Sequence, residues 1–94
     1  IYRTLRFGDL ATLYMIDTRV VGRDLQAATR DAMSDIESGE RSLLGAAQER
    51  WLAGQFEEAV RGGARWHLLG QQVMFAAQAA PGRPSPNVDS WDGY

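Results

Sequence analysis

The stretch Leu10-Ala11-Thr12-Leu13-Tyr14-Met15-Ile16 constrains this chain more than any other. It is almost continuously apolar and rich in strand-favouring residues, and it is bounded by Gly8-Asp9 before and Asp17-Thr18-Arg19 after. Such a run is too short for a long helix and reads as a strand covered on both faces. Upstream, Tyr2 to Phe7 alternates Tyr, Thr and Arg with Leu and Phe, so the two segments read as a β-hairpin or two adjacent strands. The polar residues that follow Ile16 then emerge at the carboxyl end of a buried strand, where α/β folds place their ligands.

Two helices are expected next. Leu25, Ala28, Ala32 and Ile36 recur at helical spacing, which predicts a helix over 24–38, with Asp24 as N-cap and Gly39 as stop. Ala46 to Arg61 carries the firmer pattern: Gly45 at the N-cap, Gln48 placed for half of a capping box, and Gly62-Gly63 as terminator. Its buried stripe is expected to be Leu52, Phe56 and Ala59-Val60, with Trp51 beside it, and Glu57 and Arg61 form a favourable i,i+4 pair. Gly54 costs about 1 kcal/mol in a helix interior, an expense that close backbone packing would explain. A third strand starts at Trp66-His67-Leu68-Leu69 and runs toward Met74, followed by a Pro/Gly-rich loop over 78–90. The order β-β-α-α-β-loop belongs to an α/β (α+β) layer structure. The chain begins Ile1-Tyr2-Arg3 without an initiator methionine, and residues 1–94 are expected to be a single partial segment of a larger domain.

Composition removes several functions. Twelve carboxylates against ten basic residues give a net charge of −2, so no nucleic-acid binding is indicated. The absence of cysteine excludes thiol catalysis and cysteine metal sites within the segment. No apolar run approaches the roughly 18 residues of a membrane span. No nucleophile elbow, Walker loop or Gly-x-Gly-x-x-Gly is present. All ten basic residues are arginine, a bias that reads as compositional, the functional alternative being anion recognition by the guanidinium fork.

The candidate site residues lie at strand ends and in the last loop. Asp17 and Arg19, two apart, share a face and read either as a salt bridge closing the strand or as a carboxylate orienting an arginine toward phosphate. Gln71 and Gln72 either brace the following loop or offer amide groups at a site edge. Asn87, Asp89, Asp92 and Tyr94 place oxygens at close spacing without matching a calcium loop, and Trp91 among them is an anchor or a lid. The lone His67 reads as a surface or satisfied histidine.

Several segments together resemble the alkaline phosphatase D, or PhoD-like phosphatase, family. Tyr2 to Leu10 is similar to its "YRsfrfGdL", and Met15-Ile16-Asp17-Thr18-Arg19 with Gly22-Arg23-Asp24 to its "LDTR…R". Leu43 to Leu52 is similar to "mLGaeQ..WL", Ala64 to Met74 to "arW.vlgqQvm", and Asn87 to Tyr94 to "N.D.WdGY". The resemblance implies a metallophosphatase-type β-sandwich flanked by helices, in an exported, periplasmic or extracellular hydrolase of phosphate monoesters or diesters. It implies divalent or trivalent metal ions, calcium and iron, in the parent enzyme. The family's "GDyiY", "DDHE" and "GDiH" metal motifs are absent here, so this segment is expected to supply no catalytic group and no metal ligand. Gln72 falls near the place of a metal-binding histidine in related metallophosphatases. Asp17, Arg19, Gln71, Gln72, Asn87, Asp89, Trp91 and Tyr94 are expected to line the phosphate-ester site, with the remainder of the catalytic domain as partner. The segment alone is expected to be inactive. The alternative is a small stand-alone α/β protein-interaction domain without catalysis.

Overall fold

A computed structural model describes residues 1–81, 83, 84 and 86–94. Three strands, β1 (Arg3–Phe7), β2 (Ala11–Met15) and β3 (Trp66–Gly70), form one sheet in the order β1-β2-β3. β1 and β2 are the antiparallel hairpin, turning at Gly8, where φ is +57°. β3 returns parallel to β2, pairing Ala11 with Trp66 and Met15 with Gly70. Parallel pairing demands a crossover, and the helices provide it. The mixed α/β architecture and the β-β-α-α-β order are as expected.

α2 (Ala46–Arg61) spans the range the sequence predicts, with Gly45 at its N-cap at φ +76°. Its inner side meets Thr4, Arg6, Thr12, Tyr14 and His67, the residues of one sheet face. Tyr14, fully buried, packs on Phe56 at 4.4 Å between ring centroids and shares a 2.7 Å hydrogen bond with His67 Nδ1. Burial raises the Tyr14 pKa. Thr4 donates to Gln55 and Arg6 to Glu58, which fixes the helix against β1. The opposite sheet face carries Leu5, Phe7, Leu13, Met15, Trp66 and Leu68, and Phe7 and Trp66 are 54% and 64% exposed.

Several expectations need correction. The helix predicted over 24–38 is confined to α1 (Met33–Ile36). Asp24 is bonded sideways to Ser42, through its N–H to the Ser42 carbonyl (2.9 Å) and through its carboxylate to the Ser42 N–H (2.8 Å). The carbonyls of Asp24 and Leu25 are taken by the Tyr94 hydroxyl and the Arg41 guanidinium. Side chains thus replace the i→i+4 bonds, and Leu25 of the expected stripe is 91% exposed. β3 stops at Gly70 rather than running toward Met74. In α2, Ala59 is buried but Val60 is 66% exposed. Among the described residues nothing lies within 4 Å of a Cβ placed on Gly54, so close packing within them does not explain that glycine. Gln48 makes no capping box, since its amide points inward to Asp17. The Glu57–Arg61 pair is present at 3.8 Å and well exposed, so it contributes little.

The loop expected at 78–90 has no regular element among its described residues; positions 82 and 85 lie outside them. Among the described residues no helix is long and apolar enough to cross a membrane.

Candidate functional site

β2 carries the chain to its carboxyl end, where Ile16 makes one more main-chain bond, its N–H donating to the Gly70 carbonyl at 3.0 Å. The chain then turns through Asp17, Thr18, Arg19 and Val20. Asp17 is buried, and its Oδ1 accepts from the N–H groups of Arg19 and Val20, both at 2.9 Å. Its Oδ2 accepts from the Ile1 backbone nitrogen at 2.9 Å. Hydrogen bonds from the Ile1 nitrogen and from the two amides hold the Asp17 carboxyl below the usual carboxylate range. Asp17 therefore closes the turn through backbone donors and makes no ion pair with the Arg19 side chain.

Arg19 pairs instead with Asp89, across the whole chain, through Nη1. The other Asp89 oxygen accepts from Arg23 Nη2 at 2.7 Å. Arg23 is further held by the Tyr94 hydroxyl at 2.6 Å and the Thr18 carbonyl at 3.3 Å. Burial works against the Arg23 charge, but Tyr94 and Asp89 outweigh it and its pKa rises. Arg23 and then Arg19 hold the Asp89 carboxyl below the usual range. The two arginines differ in freedom: the Arg23 side chain is 15% exposed and spent on three partners, while Arg19 is 46% exposed. Among the described residues the remaining Arg19 donors have no partner. An open cavity of about 360 Å³ is lined by Arg19, Arg23, Asp24, Leu25 and Gln26.

The glutamines divide the bracing. Gln72 Oε1 accepts from both the N–H and the hydroxyl of Thr18, each at 2.8 Å. That oxygen is already committed to the turn. Gln71 Oε1 accepts from Trp91 Nε1 at 3.0 Å, and Trp91 lies edge-on to Phe75 at 5.3 Å. These contacts make Trp91 an anchor for the last segment. Asn87 Oδ1 accepts from the Asp89 N–H at 2.9 Å and so sets the turn that presents Asp89. Tyr94 receives the Arg23 hydrogen bond, donates to the Asp24 carbonyl at 2.8 Å, and lies under the Arg41 guanidinium at 4.6 Å. Asp92, the remaining oxygen of that loop, accepts from Gln78 N–H at 2.7 Å and supports the loop. His67, which pairs with Thr12 in the sheet, is occupied by Tyr14.

The eight expected site residues are thereby linked into two neighbouring groups: Asp17, Arg19, Gln72, Asp89, Asn87 and Tyr94 around the turn, and Gln71 with Trp91 beside it. Sequence reasoning did not place Arg23, Thr18, Gln48 or Arg41 among them. Arg23 had a signal, standing four residues after Arg19 in a motif-bearing segment, whereas Gln48 looked like a helix cap. Among the described residues no group of three or more His, Cys, Asp or Glu converges in a way that could hold a metal ion.

The sequence pattern of PhoD-like phosphatases matches residues 1–94. The chain is 36% identical over 99 aligned residues to alkaline phosphatase D of Bacillus subtilis (strain 168), an alignment covering 100% of this chain and 16% of that protein. A solved structure of PhoD superposes with a TM-score of 0.75 at 35% identity, covering 99% of this chain and 18% of the other. The chain thus spans about a sixth of the length of the relatives it matches. With its whole length following the family pattern and its fold shared at this level of identity, the chain belongs to the PhoD-like phosphatase family.

Proposed function

We propose that this segment supplies the phosphoryl-binding side of a phosphate-ester hydrolase, with Arg19 as the group that contacts the phosphoryl oxygens. The observation that carries this reading is the Arg19 guanidinium at the carboxyl end of the central strand. It is steadied by Asp89 on one nitrogen, and among the described residues its other donors are uncommitted, beside an open cavity of about 360 Å³. A planar guanidinium anchored on one side and open on the other suits a phosphate, which takes two parallel hydrogen bonds. Asp89 orients Arg19, and Arg23, with Tyr94, holds Asp89. Asp17, Gln72 and Asn87 shape the two turns that bring these groups together, while Gln71 and Trp91 secure the last segment.

Family membership supports a phosphatase as the parent. The rest of the catalytic domain is the partner this reading requires, and the uncovered sheet face of Leu5, Phe7, Trp66 and Leu68 supports it. So does the radius of gyration, 15.3 Å against about 12 Å for a compact domain of this length. The metal ions implied by the resemblance, calcium and iron, find no fitting donor set among the described residues, and Gln72 Oε1 serves Thr18. We further propose, from the family resemblance, that the parent enzyme is exported to the periplasm or outside the cell and acts on diesters as well as monoesters.

The test is Arg19→Ala in the whole enzyme. With p-nitrophenyl phosphate, KM is expected to rise roughly tenfold or more, the value of a hydrogen bond to a charged group. Inhibition by inorganic phosphate should weaken in parallel, with little change in Tm. Unchanged KM and phosphate inhibition together with lower stability would assign Arg19 to a surface ion pair and overturn the reading. The same variant assayed with bis(p-nitrophenyl) phosphate reports whether a diester uses the arginine.

A further inference from the structure

We infer that Gln48, on α2, is a positioning residue for Arg19, acting through the backbone of the turn that carries it; this rests on the phosphoryl-binding reading of Arg19. The ladder between β2 and β3 ends with the Ile16–Gly70 bond. Asp17, the next residue, is 2% exposed, so its peptide N–H and carbonyl need partners that no strand provides. The Gln48 side chain supplies both. Its Oε1 accepts from the Asp17 N–H at 2.7 Å, and its Nε2 donates to the Asp17 carbonyl at 2.8 Å. The other Nε2 proton serves the Leu44 carbonyl at 3.1 Å. A primary amide has the same donor and acceptor as a peptide, so the helix contributes one further rung to the central strand.

That rung decides where the chain goes next. With the Asp17 peptide pinned from the helix side, its carboxylate is aimed over the Arg19 and Val20 amides, and Gln72 fixes Thr18 from the β3 side. Arg19 therefore leaves the turn in one direction, toward Asp89 and the cavity. Gln48 is 1% exposed and its oxygen and both amide protons are committed, so it has no spare capacity to touch a ligand. Other side chains fail for stated reasons. Glutamate lacks the donor, asparagine is one methylene short, and leucine leaves both Asp17 groups without partners.

The experiment is a double-mutant cycle in the whole enzyme with Gln48→Leu and Arg19→Ala, read by inhibition by inorganic phosphate, by KM and kcat for p-nitrophenyl phosphate, and by Tm. Gln48→Leu is expected to weaken phosphate inhibition and raise KM roughly tenfold, with a smaller effect on kcat, because displacing a binding group by about an ångström costs that much or more. In the Arg19→Ala background the same substitution should change the phosphate constant by less than about twofold. A lower Tm with an unchanged phosphate constant, or equal weakening in both backgrounds, overturns the proposal. If Gln48→Leu does not fold, Gln48→Asn, which keeps the amide but is too short to reach both groups, takes its place with the same outcomes. Phosphate inhibition that responds to Arg19→Ala but not to the Gln48 substitution defeats this inference alone. If Arg19→Ala changes nothing, the phosphoryl-binding reading falls and this one falls with it.

Discussion

The sheet with α2 and the segments that follow β2 and β3 are held together by different physics. In the first, backbone groups satisfy one another along ladders and a helix, and apolar side chains such as Tyr14 and Phe56 fill the space between. In the second, residues 17–44 and 71–94, regular structure is almost absent among the described residues, and side chains take over the backbone hydrogen bonds. Asp17 serves two amides, Arg41 three carbonyls (those of Leu25, Asp35 and Gly93), and Asp92 the amides of Gln78 and Ala79. A ladder tolerates changes of side chain because its bonds belong to the backbone. A region tied by side chains does not, since each substitution can orphan a buried peptide group. The same dependence lets such a region hold arginines and carboxylates in one fixed arrangement, which a binding site requires.

The largest effect should come where the two regions cross. Gly22 and Gly45 approach backbone to backbone, both at positive φ, and a Cβ on Gly45 would collide with the Gly22 carbonyl. Gly45→Ala is expected to cost about 3 kcal/mol or more in urea unfolding of the whole enzyme. A loss under about 1 kcal/mol would mean that this crossing is not a fixed point between the regions.

Acid should separate the regions next. A carboxyl whose pKa is depressed when folded stabilises the fold above its unfolded pKa, and that contribution is lost as pH falls through the folded value. For Asp17 the window opens at the ordinary value of 3.8 and extends below it, because the Arg19 and Val20 amides stabilise the carboxylate. Over it, the protection factors of the Arg19 and Val20 amides against hydrogen exchange should fall before those of β2 do. Simultaneous loss of protection in both would erase the contrast. Following the Asp17 carboxyl carbon by NMR supplies the direct check, and a midpoint near 3.8 would contradict the geometry.

The smallest expected effect is a gain. Gly54 lies inside α2, and no described residue approaches its Cβ position, so Gly54→Ala should stabilise the ladder region by up to about 1 kcal/mol in chemical denaturation. A loss of stability would show that something packs on this glycine in the whole enzyme.

Much of the first region was legible in the sequence, and little of the second was. The hairpin, α2 from Ala46 to Arg61 and the start of β3 at Trp66 follow from period-two alternation, a 3.6-residue stripe and glycine punctuation. The helix expected over 24–38 shows how the same reasoning misleads: the spacing was helical, but Ser42, Arg41 and Tyr94 captured the backbone groups that the helix needed. Asp17, Arg19, Asp89 and Tyr94 were legible as candidates because polar residues after a buried strand, and oxygens in a late loop, stand out. Their partners were not.

The sequence by itself determined the strands, the long helix and the family to which the chain belongs, because periodicity and motif spacing are local and survive without knowledge of distant neighbours. Tertiary structure decided that Arg19 reaches Asp89 rather than Asp17, that Arg23 is spent as a support, and that Gln48 faces a strand instead of capping its helix. Those partners stand 70, 66 and 31 residues apart. Each hydrogen-bonding group serves only a few partners at once, so which of several polar residues wins a given carbonyl or guanidinium depends on where the fold puts all of them.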